Sequence, residues 1–250
     1  MCIIAYYKKG QTPERETISR MMTTNPHGVG IGWNTGKKAY FQKGFVSVDG
    51  VMRYIEALRK DNFANDIVFH ARIATSGGIS VEKCHPFPVS MDDETLNKKQ
   101  FITAGALVFH NGVLSVKIAD GLNDTQTFIK NSIAPLDRLD SKGLKNGKYD
   151  ELLTLATSGS RLLLLYPDGV RLFGRWETDE KTGIMYSNAG YKPYTSYYGR
   201  WTDEEWERWD AYYKRKDTTQ TGGKYNSKWW ENHGKKGEAN DGKRNEKKDN

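Results

Sequence analysis

The stretch SRLLLLYPDGVRLFGRWE, residues 160–177, constrains the fold more than any other part of the chain. An apolar run meets a Pro-Asp-Gly turn and is followed by a second run, the pattern of a β-hairpin. Antiparallel pairing is therefore built into the chain. Further short strands are expected at IIAYY (3–7), in AYFQKGFVSV (39–48, a strand or hairpin), in IVFHARIAT (67–75), in FITAGALVFHNG (101–112, one strand ending in a turn) and in GIMYSNAGY (183–191). Gly28, Gly30 and Gly32 alternate and so share one face of a strand. A bare face of that kind lets another backbone or a ligand approach closely. Their spacing is not G-x-G-x-x-G and no helix follows, so a dinucleotide loop is excluded.

Helices are expected at 13–22, with Pro13 in the first turn, and at 50–60, where Val51, Tyr54, Ile55 and Leu58 repeat with helical spacing. Two more are expected at DTQTFIKNSI (124–133), with Phe128, Ile129 and Ile133 inward, and at YDELLTLA (149–156). Strands outnumber helices and the helices come in clusters. That pattern predicts a layered α+β domain rather than regular βαβ alternation.

The 250 residues suit one domain with extensions. No segment approaches the roughly 18 consecutive apolar residues of a membrane span, and the apolar run before Lys8 and Lys9 is too short for a secretory signal. Two cysteines make no disulfide framework. The expectation is a cytoplasmic protein in a reducing compartment, without a membrane partner. The composition changes near residue 197. Residues 197–216 read as a Trp-rich amphipathic helix in which Trp206, Trp209 and Tyr213 share a face, with Thr202 and Glu205 as a capping box. Residues 217–250 hold almost no aliphatics and are expected to be a disordered charged tail. The net charge is +7, but the mixed signs argue against tight nucleic-acid binding, which needs a concentrated basic patch.

Cys2 directly follows the initiator Met. Cysteine is a common core residue, and the second cysteine, Cys84, allows a disulfide on count alone. Removal of Met1 would instead give Cys2 a thiol and an α-amine whose ordinary pKa is roughly 7.7–8.0. A nucleophile and its base would then sit on one residue. Position alone leaves these readings open.

Four further stretches bear on the choice: His70-Ala71-Arg72-Ile73-Ala74-Thr75-Ser76-Gly77, His85-Pro86, His110-Asn111-Gly112 and Asp124-Thr125. In this order and with Cys2, they resemble the glutaminase domain of class II glutamine amidotransferases, N-terminal-nucleophile hydrolases whose mature chain begins with cysteine. The resemblance covers roughly residues 2–190, and the domain is drawn as 2–196. It implies a four-layer α/β/β/α sandwich of two antiparallel sheets. It also implies a cysteine amidohydrolase that releases ammonia from glutamine or a γ-glutamyl compound, with no metal and no cofactor. Only a short segment follows the domain. The chain therefore resembles the small stand-alone bacterial and bacteriophage members, in a bacterial or infected host cytoplasm. Its partner would be a separate ammonia-accepting enzyme or a second copy of itself. The alternative is an inactive amidotransferase-like binding or regulatory protein acting through its tail. The chain departs from the family pattern at three places: Ile3 stands for Gly, His27 for Asp ahead of the glycine-rich strand, and Ile73 for an aromatic residue.

The chemistry of free glutamine fits these positions. Its carboxylate suits the planar fork of Arg72, with Thr75 beside it, and its ammonium suits Asp124. The resemblance assigns the Asn111 side-chain NH₂ and the Gly112 N–H to the oxyanion formed when the Cys2 thiolate attacks. Each position also has a plain structural reading. Arg72 could be a surface ion pair, Asn111-Gly112 a hairpin turn, and Asp124 a helix N-cap. His70, Cys84, His85 and His110 lack metal-ligand spacing, and the histidines read as buried strand-end and loop residues.

Overall fold

The computed structural model describes residues 2–74 and 78–193. The calls at Thr75, at the 197–216 helix and at the 217–250 tail lie outside the described residues. Within the compact unit Met1–Pro193, eleven strands among the described residues form two sheets. The strands are β1 (Ile3–Tyr7), β2 (Val29–Asn34), β3 (Ala39–Phe45), β4 (Ile67–Ala71), β5 (Phe87–Pro88), β6 (Gln100–Thr103), β7 (Leu107–Asn111), β8 (Arg161–Tyr166), β9 (Gly169–Phe173), β10 (Glu177–Thr178) and β11 (Met185–Tyr186). One sheet runs β10-β11-β1-β4-β2-β3-β6 and the other β5-β7-β8-β9. Every pairing is antiparallel.

Among the described residues six α-helices accompany them: α1 (Arg15–Thr24), α2 (Val48–Arg59), α3 (Asp93–Leu96), α4 (Asp124–Phe128), α5 (Ala134–Asn146) and α6 (Asp150–Ala156). The period-2 alternation of the strands sorts their side chains into three apolar layers. Ile3, Ala5 and Tyr7 of β1 point to one face, where Ile18 and Met21 of α1 and Val51, Ile55 and Leu58 of α2 cover them. Ile4, Tyr6, Phe41 and Val68 point the other way and meet Leu107, Phe109, Leu163 and Leu165 of the second sheet. The outer face of that sheet, Val108, Leu162 and Leu164, packs on Phe128, Ile129, Ile133, Leu144 and Leu153. The chain is thus the expected α/β/β/α sandwich of two antiparallel sheets.

Three local outcomes differ from the expectations or sharpen them. The stretch 101–112 is two strands in different sheets: β6 pairs with β3, and β7 with β8. The chain turns between them at Gly105, whose N–H donates to Thr103 Oγ1 at 2.9 Å. The helix begun at Asp124 continues through a π-helical turn, Ile129–Ile133, into α5. The bare glycine face of β2 receives protein. A Cβ on Gly30 would overlap the His85 carbonyl, and one on Gly32 would lie 2.7 Å from the Phe109 ring. The glycines let the second sheet and the 84–88 loop close onto β2.

Candidate active site

Sheet register places the first two functional positions side by side. Ile3 faces Ala71 across β1 and β4, so Cys2 and Arg72 stand at adjoining strand ends. Asn188 Nδ2 donates to the Cys2 carbonyl at 2.8 Å and fixes the start of the chain. In the second sheet, β7 ends at Asn111, leaving Gly112 at the same end of the sandwich. Gly112 has φ +150, and a Cβ there would run into the Ser160 side chain, so only glycine fits. Asp124 arrives from the start of α4.

Cys2, Arg72, Gly112 and Asp124 line one small cleft, open in part to solvent, together with Ile73, His85, His110, Asn123 and Thr125. Asn111 is not on the wall. It lies just behind, buried, and its Nδ2 donates to Ser187 Oγ at 2.8 Å.

The cavity holds opposite charges and a thiol in a poorly solvated place. Burial pushes the Cys2 thiol up, while the Ile73 N–H, 3.4 Å from the sulfur, and the Arg72 guanidinium pull it partly back. Arg72 itself is almost fully buried. Asp124 Oδ2 accepts the Leu114 N–H at 3.2 Å.

The helix cap is Asn123, not Asp124. Asn123 Oδ1 accepts the Gln126 N–H at 2.8 Å, and Gln126 Oε1 accepts the Asn123 N–H at 3.0 Å, a complete capping box. Asp124 is the first helical residue. The N-cap reading of Asp124 is corrected accordingly. The signal was present in the sequence, because Asn123 precedes Gln126 by three.

Three histidines and Thr125 form a buried cluster at this wall: His85, His110 and Thr125 line it, and His70 lies behind. The His70 and His85 rings stand 4.2 Å apart. His70 Nε2 lies 3.1 Å from the His110 carbonyl, which only accepts, so Nε2 carries the proton. His85 Nε2 and His110 Nδ1 both reach Thr125 Oγ1, at 3.2 and 3.0 Å. Burial is the first cause that depresses all three, His70 to about 3, His110 to about 4 and His85 well below its ordinary value. Each is neutral at pH 7. Among the described residues no group of three or more His, Cys, Asp and Glu is arranged to hold a metal ion.

Three residues at this end of the fold carried no sequence signal of their own. Ser187 and Asn188 follow the short strand β11 and hold Asn111 and Cys2 from a distance in sequence. Lys43, on β3, is buried under the 82–87 segment, where its Nζ donates to the Glu82 carbonyl at 3.2 Å and lies 4.2 Å from the Phe87 ring centre. Burial lowers its ammonium to about 7.

No helix among the described residues is long and apolar enough to cross a membrane. No family model matches the sequence, and no curated protein matches it. Comparison with solved structures finds the glutamine phosphoribosylpyrophosphate amidotransferase from B. subtilis, complexed with ADP and GMP, at 13% identity and a TM-score of 0.46. It also finds an allosteric regulatory enzyme of purine biosynthesis, at 14% identity and a TM-score of 0.44. Each match covers 75% of this chain and 42% of the other, so the chain spans about two fifths of their length.

Proposed function

We propose that the chain is a glutamine amidotransferase-type amide hydrolase that releases ammonia from glutamine or a γ-glutamyl compound. The observation that carries this reading is the single cavity lined by Cys2, Arg72, Gly112 and Asp124. It offers a nucleophile, a cation, a glycine N–H and a carboxylate, the groups one α-amino acid amide requires.

In this reading Met1 is removed and the Cys2 α-amine takes the thiol proton through a water. A base is needed, because burial holds the thiol up. The sulfur attacks the amide carbon and the C=O electron pair moves to oxygen. Gly112 N–H and the Asn111 amide receive that oxyanion. The Asn111 NH₂ has two hydrogens; one is engaged by Ser187, and the other is assigned to the oxyanion. Collapse expels ammonia with the transferred proton, leaving a thioester that water hydrolyses. Arg72 holds the α-carboxylate and Asp124 the α-ammonium, with Thr75 following Arg72 in the chain. The histidines, neutral and committed to Thr125 and to a carbonyl, are structural supports of this wall.

The ammonia would pass to a separate accepting enzyme, or to a second copy that carries such a partner. The test is ammonia release from L-glutamine and from γ-glutamyl amides by protein whose intact mass shows Met1 removed. Release by that form and none by Cys2→Ala supports the reading. No release from any of these amides defeats it.

A further inference from the structure

His27 lies outside the chemistry above, yet its contacts converge on the nucleophile. Gly28, at φ +110, turns the chain so that His27 lies alongside Arg72. The His27 N–H donates to the Arg72 carbonyl at 2.9 Å, and the Arg72 N–H donates to the Gly28 carbonyl at 3.0 Å. The His27 ring then accepts the Ala74 N–H on Nδ1 at 2.8 Å. That fixes the ring proton on Nε2.

These two bonds fall on consecutive peptide units. In a planar trans peptide the C=O and N–H point in opposite directions, so holding one end aims the other. The first unit joins Arg72 to Ile73. His27 N–H holds its oxygen, and its N–H points at Cys2 Sγ, 3.4 Å away. The second unit joins Ile73 to Ala74. The His27 ring holds its N–H, and its oxygen, Ile73 O, accepts the Cys2 S–H at 3.4 Å. One residue thus orients both groups that touch the sulfur.

We infer that His27 is a positioning residue for Cys2, its ring locking the Ile73 carbonyl against the thiol so that the resting nucleophile is held protonated and in one direction. The backbone bond from His27 survives any substitution except proline; the ring bond survives only where an acceptor replaces Nδ1. Loss of the ring removes the acceptor of the Ala74 N–H, so the Ile73 carbonyl is no longer held against the sulfur, where it accepts the thiol proton and its dipole opposes the thiolate. The thiol then ionises more easily but points less well. The consequence for turnover rests on the proposed role of Cys2; the effect on ionisation does not.

The experiment measures the pH dependence of iodoacetamide alkylation of the full-length protein, with the label at Cys2 quantified by peptide mass spectrometry. His27→Ala is expected to lower the apparent Cys2 pKa, giving about three- to tenfold more thiolate at neutral pH. His27→Asn places Oδ1 where Nδ1 stood, and is expected to titrate as wild type. Should His27→Ala not fold, His27→Met keeps bulk without an acceptor and carries the same comparison. An unchanged or raised pKa in the Ala or Met variant, or an equal fall in the Asn variant, overturns the inference. Failure of wild type to hydrolyse glutamine would count against the enzymatic reading alone, because the alkylation comparison reads the thiol directly. Where wild type does turn over, His27→Ala is expected to combine faster alkylation of Cys2 with slower turnover while Cys84, buried and exposed only by general loosening of the fold, stays unlabelled.

Discussion

Asn111 and Ser187 meet through a 2.8 Å hydrogen bond from the Asn111 amide to the Ser187 hydroxyl, and both are almost completely buried. The same hydroxyl oxygen accepts the Ile4 N–H at 2.8 Å. One side chain therefore ties the end of β7 in the second sheet to β1 in the first, next to Cys2. Ser187→Ala strands two buried donors. It is expected to lower stability by about 1–3 kcal/mol for each, read by urea unfolding. Turnover is expected to fall about tenfold with KM little changed, less than the 100-fold or so that loss of an oxyanion donor costs.

Gly112→Ala meets two separate obstacles, the left-handed φ and the Ser160 side chain. It is expected to destabilise by about 2–3 kcal/mol. Adding Ser160→Gly removes the side-chain overlap and leaves a tight 3.1 Å approach to the residue-160 Cα with the backbone cost of about 1–2 kcal/mol. Thermal melts of the single and double variants check this. A double variant no more stable than Gly112→Ala would mean that Ser160 is not the obstacle.

Asp124 and Asn123 are neighbours with separable tasks. Asn123 caps α4, so Asn123→Ala is expected to cost about 1 kcal/mol of stability. Asp124→Asn leaves the cap intact and is expected to raise KM about 10- to 100-fold, as loss of a charged contact does. Melting temperatures and steady-state kinetics of the two variants separate the roles.

The buried histidines make stability depend on pH. Their folded pKa values lie below the ordinary value near 6.5. The unfolded chain therefore binds protons that the folded chain refuses. Their stabilisation is complete above about pH 6.5 and is lost as the pH falls toward the folded values near 4 and 3. Each fully protonated only in the unfolded state contributes about 1.4 kcal/mol per pH unit. Urea unfolding at pH 7, 6 and 5 is expected to show this slope. His85→Asn should reduce it by one histidine's share, and an unchanged slope would contradict the assignment.

The sequence disclosed those parts of the fold that are local. Apolar alternation and the Pro167-Asp168-Gly169 turn specify antiparallel hairpins, and the spacing of Val51, Ile55 and Leu58 specifies α2. What it hid depends on contacts between distant segments. Residues 101–112 look like one strand because nothing local shows that Phe101 and Leu107 pair with different sheets. Gly30 and Gly32 advertise close approach, but only the tertiary structure shows the His85 carbonyl and the Phe109 ring as the occupants. Of the candidate site, Arg72, Gly112 and Asp124 were legible because each sits in a short motif at a strand end or helix start. Ser187 was not, since its bond to Asn111 spans 76 residues and Ser-Asn is an ordinary pair in a turn. His27 stood out only as a departure from the family pattern, and its ring bond to Ala74 gives it a task.

The central claim is that Cys2 is the nucleophile of an amide hydrolase. Incubating the Met1-processed protein with an electrophilic glutamine analogue and mapping the adduct by mass spectrometry tests it most directly. The account predicts one adduct, on Cys2, that forms more slowly in the presence of L-glutamine and in Arg72→Ala. Cys84, buried and with its thiol pushed up to about 11, should remain unmodified. Modification of Cys84 in place of Cys2, or labelling of Cys2 that glutamine does not slow, would contradict it.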